Sequence, residues 1–130
     1  LDQLGLTAAL RQHCERFSRE TGVEVRFDAE PGLTFPAAAE VAIFRVVQEA
    51  LVNVQKHARA LRVEIQLRRC GEWLALELRD DGVGFALDGH AGTGIGSMRE
   101  RVEMLGGTLC LTSHPGEGTE LTMRIPYHRR

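Results

Sequence analysis

The sequence predicts a single α+β domain. Three stretches of helical period are interspersed with five short segments of strand period, and one glycine-rich stretch interrupts the second half. At 130 residues, 43% hydrophobic and 26% charged, the chain has the size and composition of one globular unit with its own core. No repeat and no second unit is visible along it.

In the first stretch Leu6, Leu10, Cys14 and Phe17 recur at steps of three and four, giving one apolar stripe of a helix that Gly22 can end. Val23, Val25 and Phe27 then alternate with Glu24 and Arg26 as a half-buried strand does, until Pro31, Gly32 and Pro36 break the pattern. From Ala37 to about Ala58 neither glycine nor proline intervenes, and this is the longest predicted helix. Val41, Phe44, Val47, Leu51 and Val54 are expected to line its apolar face.

Val63, Ile65 and Leu67 alternate with charged and polar residues, and beyond Gly71 the run Trp73–Asp80 puts Leu74, Leu76 and Leu78 on one face, which predicts a hairpin. Residues 81–96 hold six of the fourteen glycines and read as a mobile loop. Ile95, Met98, Val102 and Leu105 restore the helical period until Gly106 and Gly107 stop it. Two more alternating segments follow, around Leu109 and Leu111 and from Leu121 to Ile125.

Several function classes are disfavoured. A net charge of −2 supplies no basic field for a phosphate backbone, so nucleic acid is not an expected partner. No apolar run approaches the roughly 20 residues of a membrane helix, and no charged-then-apolar signal opens the chain. Three cysteines without paired spacing argue against a disulfide framework and fit a reducing cytoplasm. The five histidines show no HExxH spacing, so structural zinc has little support. A first residue of Leu predicts that more chain lies upstream.

On the long helix Arg45, Glu49, Asn53 and the pair Lys56 and His57 follow at steps of three or four and form a polar stripe. That stripe reads either as a solvated face whose cations offset the helix dipole, or as a site where a carboxamide oxygen meets a hard metal ion and the cations meet phosphate. Lys56 is the only lysine among 16 Lys and Arg residues. Asp80-Asp81-Gly82-Val83-Gly84 places a carboxylate at a strand end beside two glycines, which is either an Asp-Gly turn or an acceptor for a ligand amino group. Gly92-Thr93-Gly94-Ile95-Gly96-Ser97-Met98 opens a helix, where free amides suit an anion. Gly116-Glu117-Gly118-Thr119 links the last two strands, as a turn or with a hydroxyl near the ligand. No loop has the GxxxxGK[ST] form or the strand-linked GxGxxG form.

The order of these four elements resembles the N, G1 and G2 boxes and closing motif of the GHKL, or Bergerat-fold, ATPases. The resemblance covers nearly the whole chain. The Glu49-x-x-x-Asn53-x-x-Lys56-His57-Ala58 string, the short lid and Ser97-Met98-Arg99-Glu100-Arg101 are similar to the nitrate-sensor-like branch of sensor histidine kinases. Ile95, where many relatives have leucine, and Gln55, inside the asparagine motif, depart from that pattern without removing a charge or donor.

The resemblance implies a two-layer α/β sandwich, with a mixed, mostly antiparallel sheet on three helices and residues 1–130 as one catalytic, ATP-binding domain without its dimerisation and phosphoacceptor helices. It implies ATP and magnesium as cofactors: Asn53 on the metal, Asp80 on the adenine amino group, Lys56 and His57 towards the phosphates. Gly82, Gly84, Gly92, Gly94, Ile95, Gly96 and Met98 would shape pocket and lid, and Thr119 would lie near the nucleotide. Glu49, Lys56 and His57 are its implied catalytic residues; the glutamate matching Glu49 activates water in ATP-hydrolysing relatives, whereas here an imidazole should attack and water attack would waste ATP.

The implied activity is histidine protein kinase: transfer of the γ-phosphate to a histidine of the parent's own dimerisation domain, with a response regulator downstream. The alternatives are a nucleotide-sensing module without transfer and an anti-sigma serine kinase of the same fold. The expected setting is a cytoplasmic domain, monomeric alone, in a homodimeric parent that can be membrane-anchored. His13 lacks the acidic residue that follows an acceptor histidine in this family and reads as helix surface.

Overall fold

The computed structural model describes residues 5–58, 62–82, 95–113 and 118–127. The elements are α1 (Gly5–Thr21), β1 (Glu24–Ala29), α2 (Ala37–Asn53), a π-helical turn (Val54–Ala58), β2 (Arg62–Cys70), β3 (Trp73–Asp80), α3 (Ile95–Met104), β4 (Thr108–Ser113) and β5 (Thr119–Pro126). The strands form one sheet of order β1-β2-β3-β5-β4, parallel between β1 and β2 and antiparallel elsewhere. This mixed sheet against three helices is the expected two-layer architecture.

The period-2 alternation of the strands decides which side chains meet the helices. Ile65, Leu78 and Leu121 stand side by side across β2, β3 and β5, as do Leu67, Leu76 and Met123, and all six are buried. Against them pack Leu6, Leu10, Cys14 and Phe17 of α1, Ile43, Val46, Val47, Ala50 and Leu51 of α2, and Met98 and Val102 of α3. The opposite face carries the ion pairs Arg62–Glu24, Arg68–Glu77 and Arg79–Glu120, with nitrogen–oxygen distances of 3.1, 2.9 and 3.0 Å. These pairs are exposed, so they contribute little to stability and mainly keep that face polar.

Helix α1 runs to Thr21, whose hydroxyl donates to the Phe17 carbonyl at 2.7 Å and accepts the Val23 amide at 3.2 Å before the chain turns into β1. His13 is not plain helix surface. It is half-buried with its ring edge-on to Phe44 at 5.4 Å between centroids, and burial, then the neighbouring Arg16 charge, lower its pKa against an opposing pull from Glu20. All three cysteines are free. Among the described residues no helix is long and apolar enough to cross a membrane.

The apolar face of α2 differs from the expected one. Val41 is 38% exposed and Phe44 is half-buried, whereas Ala39, Ala42, Ile43, Val46, Val47, Ala50 and Leu51 are buried. Ala39, Ala42 and Ala50 are all on the buried face, and the core stripe is centred on Ile43, Val46 and Ala50. Leu51→Ala, at 0% exposure, is therefore expected to cost about 2–5 kcal/mol in denaturant unfolding. Val41→Ala should stay near 1 kcal/mol or below, and equal losses at the two positions would return Val41 to the core.

Candidate functional site

Connectivity gathers the candidate side chains at one end of the sandwich. The segment 59–61 joins the π-helical turn to the start of β2, whose Val63 lies opposite Asp80, and Asp80 in turn lies opposite Thr119 at the start of β5. The end of α2, the end of β3 and the start of β5 thus share this end. The other end carries a hydrogen bond and a ring contact: the Tyr127 hydroxyl accepts the Thr34 amide at 3.0 Å, and the Phe35 and Tyr127 rings meet edge-on.

Asp80 continues the inward series Leu74, Leu76 and Leu78, so its carboxylate sits on the core side of β3 and is 5% exposed. Its Oδ1 accepts the Gly82 amide at 2.8 Å, and Thr119 donates to the carboxylate from both its amide and its hydroxyl. Oδ2 is buried and meets no donor among the described residues. Burial raises the carboxyl above its ordinary pKa, and the nearby Asp81 charge adds to that rise, while the bonds from Gly82 and Thr119 oppose it. An acceptor in this state favours a ligand that brings an N–H group.

Asp81 points the other way. Its Oδ1 accepts the Arg62 amide at 2.9 Å, and its own amide donates to the Arg62 carbonyl at 3.2 Å, so it closes the β2–β3 pairing. Of the two adjacent carboxylates, Asp80 is the ligand candidate.

On α2 the polar residues do not form a straight stripe. Arg45 is exposed, Glu49 half-buried and Asn53 7% exposed. A step of four residues on a helix of 3.6 per turn advances about 40° around the axis, so two steps carry the ridge from solvent to interior. At Asn53 the α-helix ends and Val54–Ala58 form the π-helical turn, with the Val54 amide shared between the Ala50 and Leu51 carbonyls. Such turns concentrate at functional sites. Lys56 is exposed on it. Gly96 is exposed at the start of α3, and Met98 is packed in the core. Gly84, Gly92 and Gly94, and the side chains of His57 and Ile95, lie outside the described residues.

Sequence reading missed the direct bond from Thr119 to Asp80 and the π-helical turn. The first has a signal in hindsight, since Thr119 begins the alternating series Leu121, Met123 and Ile125 and so shares their inward face. The second has none, because no glycine or proline marks it.

A carboxyl whose pKa rises on folding destabilises the folded state once pH exceeds the unfolded value, and that penalty is complete above the folded value. Asp80→Asn keeps the shape without the charge. It is therefore expected to raise the melting temperature of the ligand-free protein at pH 7. The gain should narrow as pH falls to about 3.9. Melting curves in which the variant is less stable at pH 7 would overturn the desolvation argument.

Residues 38–129 match the family described as histidine kinase-, DNA gyrase B-, and HSP90-like ATPase. The chain is 37% identical over 129 residues to the signal transduction histidine-protein kinase/phosphatase DegS of Brevibacillus brevis, covering 97% of this chain and 33% of that protein. It is 37% identical over 130 residues to the oxygen sensor histidine kinase NreB of Staphylococcus carnosus, covering 97% of this chain and 38% of that one. The chain thus spans about a third of these relatives.

A histidine kinase domain from the blue-light activated histidine kinase of Erythrobacter litoralis has a similar structure, with a TM-score of 0.74 at 30% identity over 93% of this chain and 60% of that one. The fold alone is shared with the histidine kinase AdeS of Acinetobacter baumannii, at a TM-score of 0.76 and 15% identity over 95% of this chain and 64% of that one. The architecture and the family match agree with the resemblance in the motifs, and the chain belongs to the histidine kinase-, DNA gyrase B- and HSP90-like ATPases.

Proposed function

We propose that this domain binds magnesium-ATP at the end that carries Asp80 and Asn53, and that its parent passes the γ-phosphate to a histidine on a separate dimerisation domain in two-component signalling. The observation that carries the reading is the buried Asp80 Oδ2 without a donor among the described residues. Adenine offers an exocyclic amino group to such an acceptor. Guanine presents a carbonyl oxygen at the equivalent position and would set two acceptors against each other. The family is one of ATPases, and the named relatives are histidine kinases.

Asn53 is the candidate metal ligand, since its carboxamide oxygen is hard and neutral. Among the described residues no group of three or more His, Cys, Asp or Glu side chains could hold a metal ion by itself. That fits magnesium, which commonly takes one or two protein ligands and completes its shell with phosphate oxygens and water. When bound it would neutralise phosphate charge. Lys56 on the π-helical turn, and His57 beside it, are the candidate partners of the phosphates. Phosphoryl transfer asks mainly for such positioning and charge neutralisation. Glu49, one turn before Asn53, is the candidate to orient the attacking group. Gly82, Gly84, Gly92, Gly94, Ile95, Gly96 and Met98 remain proposed pocket and lid positions.

Calorimetric titration with a non-hydrolysable ATP analogue, with and without magnesium and with a GTP analogue as control, tests the binding half. Saturable, adenine-selective, magnesium-dependent binding is expected, and no binding at millimolar nucleotide removes the reading. Asn53→Ala should abolish the magnesium-dependent part, and unchanged magnesium dependence would remove the metal assignment. Asp80→Asn should lower ATP affinity about tenfold or more and erase the preference over GTP. Phosphohistidine in the complete parent tests transfer. Binding without it would leave the nucleotide-sensing module, and phosphoserine on a partner protein the anti-sigma kinase.

A further inference from the structure

The glycine before Thr119 is placed by the same register that places Asp80. Gly118 is buried with φ +79°, and a Cβ built on it would lie 2.5 Å from the Asp80 carbonyl oxygen, 3.5 Å from the Asp80 carbonyl carbon and 3.7 Å from Asp80 Oδ1. All three nearest atoms belong to one residue, and the closest is backbone, which cannot swing aside as a side-chain tip can. Gly22, Gly32 and Gly71 also have positive φ, but a Cβ on any of them would meet nothing within 4 Å. Those glycines serve turns. Gly118 also lets β5 approach Asp80, whose Oδ2 meets no donor among the described residues.

We infer that Gly118 is a specificity-determining position, whose missing side chain lets the start of β5 close on Asp80 so that the carboxylate is held for an adenine amino group. Gly82 and Thr119 occupy the carboxylate from inside. Any side chain at 118 presses on the Asp80 carbonyl and displaces the carboxylate from those donors. Gly118 acts through Asp80 and is a positioning residue, not one that touches nucleotide. This inference rests on the proposed binding of ATP at Asp80.

Titration of wild type, Gly118→Ala, Gly118→Asn and Gly71→Ala with ATP and GTP analogues tests it. Asparagine tolerates positive φ better than alanine while carrying the same Cβ, so the pair separates backbone strain from contact with Asp80. Gly71→Ala imposes the strain alone, at φ +64° in open space, and should bind as wild type does. Both Gly118 variants should lose ATP affinity by about tenfold or more, with the ATP-to-GTP ratio falling by the same factor. In an Asp80→Asn background they should cost little further affinity, because the two residues act through one contact.

Folded Gly118 variants that keep the nucleotide preference, or that lose affinity equally with and without Asp80, overturn the inference and leave the ATP reading standing. So does failure of both variants to fold while Gly71→Ala folds, since the glycine is then structural. Wild-type protein without adenine-selective binding removes the ATP reading, and this inference with it.

Discussion

A carboxylate occupies a position on β3 that strand alternation assigns to the core, and the organisation of this end of the molecule follows from that placement. Leu74, Leu76 and Leu78 commit the inner face of β3 to the helices, and Asp80, next in the series, cannot leave that face without breaking the register that buries them. A buried charge needs hydrogen bonds. Gly82 and Thr119 bring three donors from two segments, and still one oxygen meets none among the described residues. Asp81 takes the outer face and closes the pairing with β2. The two neighbouring carboxylates thus turn to opposite faces by the parity of the strand.

That division was legible in the sequence. The spacing Leu74-x-Leu76-x-Leu78-x-Asp80 points Asp80 inward and Asp81 outward, so the alternation that predicts the strand also separates the two carboxylates. The strands and α1 were similarly readable, because their apolar periods are regular and glycine or proline stands at their ends. The register between β3 and β5 was not, since 39 residues separate Asp80 from Thr119 and nothing local fixes which pair meets. Nor was the buried face of α2. Its residues are so largely apolar that several stripes fit the 3.6 period, and packing against the sheet selects the one that uses the small alanines 39, 42 and 50.

The π-helical turn is illegible for a different reason. Val54-Gln55-Lys56-His57-Ala58 contains ordinary helix residues, and its widened geometry belongs to the junction where α2 ends and the chain must enter β2. The polar residues sit across that change of geometry. Asn53, the last α-helical residue, is turned inward, and Lys56 stays in solvent. An α-helix continued through this segment would place Lys56 about 300° around the axis from Asn53; the wider turn alters that relation, and so alters which of the two can face a common ligand.

Topology brings Asn53 and Asp80 to one end of the sandwich. Strand β1, helix α2 and strand β2 form a crossover between parallel neighbours, which returns the carboxyl end of α2 to the start of β2. The antiparallel turn from β2 to β3 then brings the end of β3 back to that same start. Asn53 and Asp80 are therefore delivered to one end by strand order, from positions 27 residues apart in sequence. The opposite end carries the Thr34–Tyr127 hydrogen bond and the Phe35–Tyr127 ring contact. The apolar core between the sheet and α1, α2 and α3 joins the layers along their length, so the Asp80 end can carry a buried oxygen that meets no donor among the described residues.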